Sequence, residues 1–178
     1  MIYELRTYTL KPGTVIQAAK TAGTIGRDVR GDNYGKLEGY WMTEIGPLNQ
    51  VMHLWSYADL NERTRLRAEL AKNPRWGAEY LPLIVPNLVR QDVRLLNGVV
   101  GPVAPASTPN LYELRNYRAR AGMLKPWVGL FTKALEAREA RLLLAAASGD
   151  GARAVIECDR AVASGESPQS IIIATQRY

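Results

Sequence analysis

The sequence predicts an α+β protein made of two β-α-β-β-α-β units, the second one shortened or diverged. Three observations carry this expectation. The chain repeats itself: "IYELRTYTLKPG" at 2–13 aligns without gaps on "LYELRNYRARAG" at 111–122, with Tyr3/Tyr112, Glu4/Glu113, Leu5/Leu114, Arg6/Arg115, Tyr8/Tyr117 and Gly13/Gly122 identical. Within the first copy, the apolar pattern changes from period two to helical spacing and back in that element order. Between the copies, "NGVVGPVAPASTPN" at 97–110 is rich in Pro and Gly and short of charge, as a linker is. The units are therefore placed at 1–96 and 111–178.

Residues 2–9 alternate as a strand, with Tyr3, Leu5 and Thr7 on one face and Glu4, Arg6 and Tyr8 on the other. Pro12-Gly13 breaks it. "TVIQAAKTAGTI" (14–25) reads as a weak helix because Gly23 costs helical stability and the apolar stripe of Ile16 and Ala19 is thin. "GRDVRGDNYG" (26–35) reads as a polar, glycine-rich loop. Strands follow at 37–44 and 50–57 around "IGPLN", whose Gly and Pro make a turn shaped by Glu44 and Asn49. Asp59 caps the next helix, with Glu62 three residues later in a capping-box arrangement, and Asn73-Pro74 ends it. "RWGAEYL" continues as a second helical piece, and "NLVRQDVRLL" closes the unit as its fourth strand.

In the second unit an amphipathic helix carries Leu124, Trp127, Val128, Phe131 and Leu135. A hairpin of "LLLAA" and "AVIEC" around Ser148-Gly149-Asp150-Gly151 follows, and "SIIIATQ" serves as a closing strand. Only "RAVASGESPQ" stands where the first unit has its helical segment. A missing helix there leaves an apolar sheet face that favours association with another chain.

The element order is the split βαβ, or ferredoxin-like, arrangement: four antiparallel strands with both helices on one face. Two such units facing each other close a barrel. In the third strand Val51, His53, Trp55 and Tyr57 share one face and Met52, Leu54 and Ser56 the other, and the smaller apolar set suits the helix side. His53 and Trp55, with Glu4, Arg6 and Tyr8, are then expected on the barrel side. Trp41 or Tyr40 joins them, depending on register. In this cavity His53 is a candidate general base or a single axial ligand to haem. Arg6 is a candidate anion anchor paired at rest by Glu4, and Tyr8, Trp41 and Trp55 are candidate walls. Arg115 and Tyr117, the repeat counterparts of Arg6 and Tyr8, join the substrate-binding set. Each residue also has a plain structural reading: cross-strand charge pairing for Glu4 and Arg6, a hydrogen-bonded structural His53, and core or dimer contacts for the tryptophans.

"YELRTY" opening a unit, followed by "GYW-TE-GPLN" and "HLW-Y" across a hairpin, resembles the NIPSNAP family of the dimeric α/β-barrel superfamily. The resemblance covers 2 to about 96, continues over 111 to about 141, and then fails. It implies the fold, while the reaction of the family is mostly unestablished. The wider superfamily includes cofactor-free monooxygenases, haem-binding enzymes, isomerases and plain ligand-binding barrels.

Composition narrows the remaining classes. The net charge of +6 is spread over the whole chain, mostly as arginine, without exposed aromatics interleaved, so nucleic acid is not the expected partner. No apolar run is long enough for a membrane-spanning helix, and the opening residues resemble neither a secretory signal nor a transit peptide. The single Cys158 allows no internal disulfide and no cysteine metal site, which fits a cytoplasmic protein. No metal-ligand cluster, nucleophile triad or dinucleotide fingerprint is present, and the cofactor is unknown. "SGDG" at 148–151 reads as a turn rather than a phosphate loop. Two functional readings follow. One is a small-molecule barrel for an aromatic or acyl, anionic molecule, with cofactor-independent oxygenase or isomerase chemistry in view. The other is a non-catalytic scaffold acting through a homo-oligomeric, dimer-forming surface.

Overall fold

The computed structural model describes residues 1–101, 110–135, 140–145, 153–158 and 170–175. The first unit runs β1 (Ile2–Leu10), α1 (Val15–Thr21), a π-helical turn (Ala22–Gly26), α2 (Arg27–Arg30), β2 (Lys36–Thr43), β3 (Gln50–Tyr57) and α3 (Leu60–Lys72). A second π-helical turn (Trp76–Tyr80), α4 (Leu81–Ile84) and a 3-10 turn (Val85–Asn87) lead into β4 (Leu88–Val100). The second unit contributes β5 (Asn110–Arg118), α5 (Leu124–Leu135), β6 (Ala140–Ala145), β7 (Arg153–Cys158) and β8 (Ser170–Thr175). The predicted hairpin and closing strand of the second unit are present, whereas "RAVASGESPQ" and the turn at 148–151 lie outside the described residues. The stretch read as a linker gives its first four residues to β4 and its last to β5.

Among the described residues, the strands form a closed barrel in the order β1-β3-β2-β8-β5-β7-β6-β4, each neighbour antiparallel. Within the first unit the pairing is extensive, from Ile2↔Tyr57 to Thr9↔Gln50 between β1 and β3. The two seams between units are thin. β2 meets β8 at Met42 and Thr43, and β4 meets β6 at Asn97, Gly98 and Val100.

Register decides the faces, because directly opposed residues share one. Leu5 lies opposite Leu54, Glu4 opposite Trp55, and Arg6 opposite His53. The barrel interior holds one buried cluster of Tyr3, Leu5, Trp41, Met52, Leu54, Leu96, Tyr112 and Leu114. A second cluster of Leu10, Ala18, Ala19, Met42, Val51 and Ile84 lies between the sheet and the helices, with Tyr8, Tyr40 and Tyr80 packed against it. The expected orientation is therefore reversed: Glu4, Arg6, Tyr8, His53 and Trp55 face the helices, and Tyr3, Leu5, Met52 and Leu54 face inward. The physical reason is closure. A sealed barrel is the driest compartment, so the face richer in large apolar side chains goes there, with the Ser56 hydroxyl satisfied by Glu38 Oε1 at 2.6 Å. The helix layer can tolerate charge because α2 and α3 bring arginines to it.

The helical segments also differ from expectation. Residues 26–30, read as the start of a loop, remain helical, and the turn comes only at Gly31, whose φ of 52° suits glycine. Gly26 does not break the helix because its bare backbone is where the Tyr80 ring packs; a Cβ there would lie 2.6 Å from the ring. The predicted cap of α3 is present: the Glu62 N–H donates to Asp59 Oδ1 at 2.9 Å, while the Glu62 carboxylate accepts from the Ala58 N–H.

Candidate functional site

The site lies between the outer face of the β1-β3-β2 sheet and the helical layer of the first unit. Its cavity of about 290 Å³ is lined at the floor by Arg6, Tyr8, Tyr40, His53 and Trp55, and at the sides by Arg30, Arg67, Leu70, Trp76, Tyr80 and Ile84. Both π-helical turns flank it, and such turns recur at functional sites. Two rings of the second turn stack on one another, Trp76 on Tyr80 at 4.3 Å between centroids.

Glu4 is fully buried and collects three guanidinium groups. It accepts from Arg6 at 2.7 Å, from Arg63, and from Arg67 at 3.4 Å. Burial pushes its carboxyl up, but the bonds from Arg6 and Arg63 outweigh this and hold it below the usual carboxylate range. Each nitrogen of Arg6 has a partner: beside the Nη1 bond to Glu4, Nε donates to Tyr8 Oη at 2.8 Å and Nη2 to Gln91 Oε1 at 3.3 Å. Arg6, the anion anchor expected from sequence, lines the cavity with Glu4 as its resting partner, as expected.

Arg30 is the opposite case. It is 5% exposed, lies over the Trp55 ring at 3.3 Å, and donates from Nη2 to the Tyr34 carbonyl at 2.8 Å and to Tyr57 Oη at 3.2 Å. Its Nε is buried without a partner, and no carboxylate pairs it among the described residues. Burial lowers its pKa, with the positive charges of Arg67 and Arg6 adding to the effect.

His53 is buried at the centre of an aromatic cage. Tyr40 stacks parallel to it at 5.5 Å, and Tyr8 and Trp55 meet it edge-on at 4.7 and 5.9 Å. Its Nδ1 accepts the Trp55 indole N–H at 2.5 Å. Burial, followed by the charges of Arg6, Arg30 and Arg67, drives its pKa well below the usual histidine range, so the ring is neutral. With Nδ1 used as an acceptor, the proton sits on Nε2.

Of the residues singled out from sequence, Glu4, Arg6, Tyr8, His53 and Trp55 come together here. Trp41 does not. It points into the barrel, 6.5 Å from Tyr112, because Tyr40 is the residue opposite His53. Arg115 and Tyr117 also lie elsewhere, on β5; Tyr117 packs under α5 against Trp127 and Phe131 at 5.3 and 6.2 Å. Sequence reasoning missed Arg30 and Tyr80. The signal was the spacing Ala22, Gly26, Arg30, one helix face at intervals of four, hidden by reading 26–35 as a loop. Among the described residues no group of His, Cys, Asp and Glu is placed to hold a metal ion, and no helix is long and apolar enough to cross a membrane.

The family model described as NIPSNAP matches residues 3–100. The chain is 30% identical over 145 residues to Protein NipSnap homolog 3B of Mus musculus, covering 76% of this chain and 55% of that protein. It thus spans about half the length of the curated relatives it matches. Among solved structures, a NIPSNAP-like domain protein from Burkholderia xenovorans is 40% identical with a TM-score of 0.53, covering 58% of this chain and 90% of its own. A monooxygenase-type protein from Lactobacillus acidophilus shares the fold alone, with a TM-score of 0.63 at 8% identity over 89% of this chain and 77% of its own.

Proposed function

For this chain, which belongs to the NIPSNAP family, we propose that the cleft between sheet and helices binds a small anion with an apolar body, such as an aromatic or acyl carboxylate. The carrying observation is Arg30, a buried guanidinium lining the cleft with no carboxylate partner among the described residues. An uncompensated buried cation is costly, and an incoming carboxylate removes that cost while its body packs on Tyr8, Tyr40, Tyr80 and Ile84. His53 serves as a hydrogen-bond donor through Nε2 rather than as the base expected from sequence, because its Nδ1 lone pair is already occupied. A proton-abstracting oxygenase or isomerase needs a base that His53 does not supply in this tautomer. Binding is therefore the reading we adopt, in a homo-oligomer of a reducing compartment such as the cytoplasm, with no nucleic-acid partner. The scaffold reading draws support from one observation, the barrel interior packed with side chains.

The test is thermal shift with a panel of aromatic and acyl carboxylates, comparing wild type with Arg30→Met. A binder raises the wild-type Tm by an amount that grows with the logarithm of its free concentration above Kd. We expect that shift to vanish in Arg30→Met, while the unliganded variant melts no lower than wild type. Absence of any shift, or a shift indifferent to Arg30, returns the protein to the scaffold reading.

A further inference from the structure

We propose that the outer edge of β4 at 89–93 pairs antiparallel with the same segment of a second copy of this chain, about a two-fold axis at Gln91. Up to Leu96, β4 pairs with β1 on one side; on the other, β6 meets it only from Asn97 onward. Among the described residues, the backbone edge at 89–93 therefore has no partner strand. Such an edge is a template for another strand unless charge, proline or a bulge blunts it. Here the one register shift against β1 falls at Val89, the end of the segment, the segment contains no proline, and its two charges, Arg90 and Asp92, are of opposite sign and so repel a strand only when it does not offer the reverse order.

The segment reads Val-Arg-Gln-Asp-Val, which is complementary to itself when reversed. Pairing about Gln91 sets Val89 against Val93, Arg90 against Asp92, and Gln91 against its own copy, with the first two contacts each occurring twice as an isologous interface requires. Opposite charges directly across an antiparallel pair are favourable, and like charges there are unfavourable. An axis one residue further on, at Asp92, would oppose Asp92 to itself and Arg90 to Arg94. An axis at Val93 would need Arg94, which is held towards Asn116 of β5 by a 3.1 Å hydrogen bond. Within one chain Arg90 and Asp92 already lie 2.7 Å apart at the surface, so each has its opposite number within reach across the axis. Val89 is 64% exposed and Val93 44%, an apolar pair that a second copy would cover. Self-complementarity is what selects a second copy over an unrelated strand.

The experiment is sedimentation of the full chain over a range of concentrations, with charge reversals at the two positions and circular dichroism as a check on folding. Wild type is expected to dimerise. Arg90→Asp and Asp92→Arg, each placing like charges opposite one another, are expected to be monomeric or at least tenfold weaker. Mixing the two single variants is expected to give a heterodimer, since both cross-axis contacts then join an acidic side chain of one variant to a basic side chain of the other. The double reversal in one chain is expected to dimerise again. If a single variant does not fold, the double reversal still decides. A monomeric wild type, or a dimer unaffected by either reversal or not recovered by the double reversal, overturns the proposal.

Discussion

At the residue scale, two buried ionisable groups shape the behaviour of the first unit. His53 is neutral in the fold with its pKa depressed, whereas in the unfolded chain it titrates near the ordinary value of about 6.5. Below that pH the unfolded state binds the additional proton. His53 therefore opposes folding increasingly as pH falls below about 6.5, by up to about 1.4 kcal/mol per pH unit. Urea unfolding of His53→Phe should show a flatter pH dependence than wild type over this range, and equal slopes would remove the claim. Glu4 also has a depressed pKa, so its contribution is present above the unfolded value of about 4.3 and is lost as pH falls through the folded one. Glu4→Gln leaves Arg6 buried without its charge partner, and should cost about 3–5 kcal/mol in urea unfolding at neutral pH.

At the element scale, β2 shows how a glycine can set a strand's packing. Gly39 lies beneath the Trp41 ring, and a Cβ there would sit 2.3 Å from ring atoms of a buried side chain. Gly39→Ala should therefore destabilise by about 1–3 kcal/mol through overpacking, measured by denaturant midpoint at unchanged m-value. The strands were legible in the sequence because alternation and the Gly-Pro turn mark them directly. The helical run from Val15 to Arg30 was not, because it crosses Gly23 and Gly26, and propensity alone reads those as breaks. What keeps it helical is the contact between Gly26 and Tyr80, 54 positions along the chain, which no local window contains.

At the scale of the whole molecule, the barrel consists of well-paired units joined by short seams. Local opening should begin where few pairs must break. Hydrogen exchange is expected to be slowest in β1 and β3 and faster at Met42, Thr43 and 97–100, the residues that close the barrel. Exchange at the seams as slow as in β1 would show that closure is cooperative with the first unit. With so few interstrand pairs at the seams, burial of Leu54, Leu96, Tyr112 and Leu114 carries much of the association between units.

By itself the sequence determined the repeat, the order of the strands, their antiparallel pairing and the two faces of β1 and β3, since alternation and turn chemistry are local properties; which of Tyr40 and Trp41 accompanies His53 it left to register. It also singled out Glu4, Arg6, Tyr8, His53 and Trp55 as companions on one face. Only the tertiary structure decided which way that face points. Alternation divides a strand into two sides without saying which is covered by helices, and closure into a barrel sends the drier side inward. The same step separated Trp41 from His53 and supplied Arg30 from a helix distant in sequence, turning an expected barrel cavity into a cleft beneath the helices.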